Sequence, residues 1–148
     1  MKLTVAAALL GVATFGAYGV GGSLSAQDAK SQWDGVYTQE QAKRGEGEYA
    51  QHCASCHGPD MTGGEMAPGL AGGEFSSNWN DLSLGDLFER MRISMPQNAP
   101  GSLSRAQNAD ILAFMLAKGS YPAGQTELPS QTEVLNTIKF VSAKPAAQ

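Results

Sequence analysis

Cys53-Ala54-Ser55-Cys56-His57 constrains this chain more than any other stretch. Several kinds of chemistry use two cysteines this far apart: a structural disulfide, half of a zinc site, or a thiol–disulfide redox pair. Zinc needs about four ligands, and the chain has no other cysteine and one other histidine, His52. Redox pairs of the thioredoxin type sit beside strand–helix–strand units, and no such alternation runs through this sequence. A histidine directly after the second cysteine favours a different reading, c-type haem attachment. Two thiols one helical turn apart add across the two vinyl groups of one porphyrin edge, and the histidine is then held under the iron. Cys53 and Cys56 are therefore the candidate thioether residues, and His57 the candidate axial ligand.

Export would suit that chemistry. Lys2 is followed by an apolar run from Leu3 to Val20, then by Gly21-Gly22-Ser23-Leu24-Ser25-Ala26. This is the layout of a secretory signal peptide over residues 1–26, cut near Ala26; Leu24 fits the small-residue preference before the cut poorly. The alternative is an uncleaved membrane anchor, although the alanine and glycine content makes the run weakly hydrophobic. A periplasmic location is expected, because haem is attached to thiols outside the bacterial inner membrane. Loss of the leader removes one basic residue, Lys2, and takes the formal net charge from −4 to −5. That disfavours nucleic acid and anionic membranes as partners, leaves membrane association to an uncleaved leader, and is compatible with a partner that presents a basic patch.

Along the chain, residues 27–37 read as an extended N-terminal arm, 38–119 as the haem domain, and 120–148 as a tail that lies back on it. Capping-box pairs mark three helix starts: Thr38 with Gln41, Ser83 with Asp86, and Ser104 with Gln107. The first helix runs to about His52, with Ala42, Gly45, Tyr49 and Cys53 on one stripe. A glycine inside a helix usually has a packing reason, so Gly45 predicts a close crossing by a second helix. The last helix, ending at Lys118-Gly119, is its natural partner, with Phe114 or a neighbour over Gly45. Residues 58–74 read as loop. Within it, Pro68 is the candidate whose carbonyl takes the ring N–H of His57, and Leu70 would pack on the porphyrin. Trp79 needs an acceptor for its indole N–H if buried, and a haem propionate or a core group would serve.

The sixth position on the iron has several candidates. His52 is tethered on the attachment side, Met61 and Met66 follow His57 closely, and Met91 and Met115 fall on apolar helix stripes where packing is the default. Met95 lies in a loop and is followed by Pro96, which makes it the chosen ligand, with Met91 in reserve. Histidine and methionine together hold the iron low-spin and raise its potential. They also leave no open position for oxygen or substrate, as an electron carrier requires. A peroxidatic protein with an open iron is the competing reading, but no distal histidine or arginine arrangement supports it.

The chain resembles the class I c-type cytochromes. The resemblance rests on Gly45 and Tyr49, on Cys53 to His57, on Pro68 and Leu70, on Met95-Pro96, and on Ala109 to Phe114. It implies an all-α cytochrome c fold, orthogonal helices wrapped around one covalently attached haem c, with first and last helices crossing near one haem edge. It also implies a non-enzymatic one-electron carrier, here expected as a monomer; the arm 27–37 and the tail 120–148, outside the minimal haem-wrapping core, motivate the alternative of a non-catalytic subunit of a larger dehydrogenase or oxidase complex. Trp33 to Tyr37 and Leu103-Ser104 are similar to bacterial cytochromes found beside quinoprotein alcohol dehydrogenases. That would make a quinoprotein dehydrogenase the donor, and an oxidase or another cytochrome the acceptor.

Overall fold

The computed structural model describes residues 30–146; the leader-like stretch 1–26, the first arm residues 27–29, and the last two residues lie outside it. Among the described residues, six helices follow a 3-10 turn at Gln32–Asp34: α1 (Gln39–His52), α2 (Ala54–His57), α3 (Gly72–Trp79), α4 (Leu84–Ser94), α5 (Arg105–Lys118) and α6 (Thr132–Leu135). Among the described residues there is no sheet, only isolated bridges from Lys139 to Ser31 and to Ser83. No helix among them is long and apolar enough to cross a membrane.

The three long helices begin where the capping residues predict. Ser83 and Ser104 each accept the N–H three residues on, and Asp86 and Gln107 reach back to complete the box. At α1 only half of the box forms. Thr38 caps the N–H of Gln41 at 3.1 Å, but the Gln41 side chain is committed elsewhere. Its amide donates to the Leu128 carbonyl at 3.0 Å and accepts the Leu128 N–H at 2.7 Å. A primary amide carries a donor and an acceptor side by side, so it can pair with one backbone residue as a neighbouring strand would.

α1 and α5 form the main crossing. A β-carbon at Gly45 would overlap the carbonyl oxygen of Asp110 and stand 3.0 Å from the β-carbon of Phe114, whereas one at Gly47 would meet nothing. Tyr49, one turn further along α1, packs its ring on Phe114 with centroids 5.5 Å apart. Behind this pair, Ile111, Leu112 and Leu116 of α5 meet Leu84, Leu87 and Phe88 of α4 in one core, all of them almost fully buried.

The two flanks close on each other. The segment read as an extended arm contains the 3-10 turn instead, because Ser31 and Asp34 make a capping box there. Gln32 is fully buried and clamps Val141 as Gln41 clamps Leu128: its amide donates to the Val141 carbonyl at 2.6 Å and accepts the Val141 N–H at 2.9 Å. The Trp33 indole N–H donates to the same carbonyl at 2.9 Å, and its ring stands edge-on to Tyr121. Tyr37 donates to the Tyr121 carbonyl at 2.7 Å. α6 is tied to α4 by Glu89, which accepts from Arg92 at 2.6 Å, from Arg105 at 3.4 Å and from the Thr132 hydroxyl.

Two outcomes follow from this packing. Gly45→Ala should cost about 1–3 kcal/mol through overpacking, while Gly47→Ala on the exposed face of the same helix should gain up to about 1 kcal/mol; denaturant unfolding of both variants checks the contrast. Hydrogen bonds from Arg92 and Thr132 hold the Glu89 carboxyl at about 2, against 4.5 for an ordinary glutamate. Its stabilisation is therefore complete above about pH 4.5 and fades as the pH falls toward 2. Glu89→Gln should flatten the fall in melting temperature across that acid window.

Candidate haem site

α1 delivers the motif. Cys53 ends the helix, with its N–H on the Tyr49 carbonyl at 2.9 Å, and the chain turns at once into α2. The N–H groups of Cys56 and His57 both donate to the Cys53 carbonyl, at 3.2 and 3.0 Å, so two thiols and one imidazole ride on a single turn. Both thiols are free; Cys53 is half-buried and Cys56 exposed. Burial, and then the neighbouring Cys56, push the Cys53 thiol up to about 11. That is the opposite of the shift that activates a redox cysteine. The described residues hold no group of three or more histidine, cysteine or acidic side chains able to bind a metal ion.

His57 is 7 % exposed, and its Nδ1 lies 2.8 Å from the carbonyl oxygen of Pro68. A carbonyl only accepts, so Nδ1 is the donor in this bond, and in the neutral ring the lone pair is then on Nε2. Among the described residues no protein group takes Nε2, and it is not a sealed orphan atom. That is the arrangement of an imidazole prepared for a metal on its far nitrogen.

The other sequence candidates fall as follows. Leu70 is half-buried at the edge of the core, its N–H on the Met61 carbonyl at 2.9 Å. Trp79 occupies the last turn of α3, half-buried beside Phe75 with centroids 6.1 Å apart, and no described protein group accepts its indole N–H. Met95 is the first residue past α4, in extended conformation, half-buried, its N–H on the Met91 carbonyl at 2.8 Å. Of the remaining thioethers, Met61 and Met115 are sealed in the core and Met66 is 79 % exposed. His52 is paired with Glu48 at 3.5 Å on α1. Residues 72–74, expected as loop, instead form the first turn of α3, where Gly72 and Gly73 open the helix without any side-chain cap.

These residues fit a covalent haem c. Two unpaired thiols, one free imidazole nitrogen and a rim of half-covered apolar side chains, Ala54, Leu70, Met91 and Leu103 among them, suit a flat apolar group that completes the core.

Residues 40–115 match the family model described as cytochrome c oxidase, cbb3-type, subunit III. No curated protein matches the chain. Among solved structures, a chain in the crystal structure of the sulfane dehydrogenase SoxCD from Paracoccus pantotrophus is similar, with a TM-score of 0.50 and 22% identity over 89% of this chain and 68% of that one. At that identity the likeness is one of fold, and its reach extends beyond residues 40–115 into the flanks. The family match spans over half of the chain and contains the turn with both thiols. The protein therefore belongs to that cytochrome c family: it is a monohaem class I c-type cytochrome, all-helical, with a covalently bound haem c for electron transfer.

Proposed function

We propose that this cytochrome is a periplasmic one-electron carrier, its haem iron held by His57 and Met95, that takes electrons from a dehydrogenase and gives them to a terminal acceptor. The observation that carries the reading is the His57–Pro68 hydrogen bond, which leaves Nε2 as the free coordinating nitrogen. Bound haem supplies a reversible one-electron change at iron. Everything else is the work of the chain. Pro68 fixes the tautomer and orientation of His57. Among the described residues, Met95 is the half-buried methionine that stands outside a helix, held between the end of α4 and Pro96. His57 and Met95 together would leave the iron no open position for water or oxygen, and a thioether ligand would raise its potential. Trp79 offers its unclaimed indole N–H to a propionate. Export rests on the leader-like layout of residues 1–26.

The formal net charge, −4 for the full chain and −5 without the leader, suits a donor or acceptor that presents a basic patch, with weak and transient docking. A quinoprotein dehydrogenase is the proposed donor. A second reading, a fixed subunit of a larger redox complex, draws on what the comparisons are called: an oxidase subunit and a dehydrogenase. Against it, the arm and the tail are joined to each other through Gln32 and Val141, which gives both a role within this chain's own fold. A monomer in gel filtration at moderate salt supports the carrier; co-purification at fixed stoichiometry supports the subunit.

Two measurements test the site. Acidified acetone should leave the colour on the polypeptide, and the intact mass should include one porphyrin. The oxidised protein should show the weak near-infrared sulfur-to-iron band, and Met95→Ala should abolish it, lower the potential and admit carbon monoxide. A band and potential that survive Met95→Ala would remove Met95 from the iron.

A further inference from the structure

We propose that Tyr49 is a positioning residue: through the Gly58 carbonyl it holds the loop that returns Pro68 to His57, and so sets the reduction potential of the iron. This rests on the reading of His57 as axial ligand.

The loop between His57 and Leu70 is anchored at few points. The His57 carbonyl accepts the Gly63 N–H at 2.9 Å. The Gly58 carbonyl accepts the Tyr49 hydroxyl at 2.6 Å and, more weakly, the Met61 N–H at 3.2 Å. Met61 then turns the chain back with a left-handed backbone, φ 60°, and a side chain fully buried in the core. A non-glycine residue accepts that conformation only where its surroundings impose it. On the return, Gly64 donates to Ala67 and Leu70 to Met61, each at 2.9 Å. The two halves touch at Gly63, where a β-carbon would stand 2.6 Å from the carbonyl carbon of Pro68. The Pro68 oxygen is thus placed on His57 by a closed circuit tied to the helices by the Tyr49 hydroxyl, the buried Met61 side chain, the Gly58 N–H on the Ala54 carbonyl and the exposed Lys118–Asp60 pair; of these, the Tyr49 hydroxyl is the short side-chain bond to the buried α1–α5 crossing.

Tyr49 is suited to hold such a tether. It is 2 % exposed, and its ring is fixed between α1 and Phe114 of α5. Burial pushes its hydroxyl up to about 12, so it remains a donor throughout the working range. The Nδ1–H···O=C bond makes the imidazole a more basic ligand, which favours the ferric state. Slackening the loop weakens that bond and favours the ferrous state. The potential should then rise.

Tyr49→Phe removes only the hydroxyl, and the Met61 N–H still satisfies the Gly58 carbonyl, so the haem-loaded protein should fold. Expected are a more positive midpoint potential and several-fold faster exchange of the His57 ring N–H, read by NMR. Gly63→Ala, which presses on Pro68, should shift both in the same direction. Tyr37→Phe is the matched control: it deletes another buried tyrosine hydroxyl, one bonded to the Tyr121 carbonyl, and should lower stability without moving either readout. If Tyr49→Phe moves potential and exchange no more than Tyr37→Phe does, the proposal is overturned. Absence of hyperfine-shifted His57 ring signals in the unmodified protein would overturn the axial reading itself, before any variant is compared.

Discussion

The carbonyl oxygen of Asp110 occupies the space that a side chain at position 45 would need. This close approach fixes the distance between α1 and α5, and much of the molecule takes its place from it. One turn beyond the contact, Tyr49 settles against Phe114; one turn beyond that, α1 ends at the first thiol. The covalent attachment point is therefore held at the end of a helix whose position is dictated by backbone contact, with little freedom to shift. Arg44 adds a forked pair to Asp110 at 3.0 and 3.1 Å on the outside of the same crossing. That pair is solvent-exposed, and close packing of apolar side chains supplies more of the stability than the ions do.

Around this crossing the chain relies on side chains that imitate backbone. Gln32 and Gln41 are buried, and each makes two hydrogen bonds with a single residue of the tail. In a protein almost without strands, these amides do what a sheet ladder would do: they satisfy peptide groups that packing has removed from water. No buried side-chain polar atom among the described residues is left unpaired. The tail is thus part of the folded unit, which agrees with a structural likeness that reaches past the family-matched core.

What could be read from the sequence is what is local. Five consecutive residues announce the haem, and a serine or threonine three residues before its partner announces each long helix. Gly45 announces the crossing because a glycine on the buried stripe of a helix needs a neighbour to justify it. The features that escaped depend on where distant segments meet. Gln41 looked like the second half of a capping box, yet its partner is Leu128, on the far side of α5 in sequence. α3 opens on two glycines and has no cap, so nothing local marks its start. The stripe that places Tyr49 was legible, but the destination of its hydroxyl was not, because Gly58 lies on a loop whose path depends on Met61.

The arm and the tail meet in a seam, where the Lys139 N–H donates to the Lys30 carbonyl at 2.7 Å and Gln32 grips Val141. The first and last described segments thus meet at one place on the molecule. Any tether upstream of Lys30, or any extension beyond the tail, would suspend the cytochrome from that corner, and both would hang it in the same orientation.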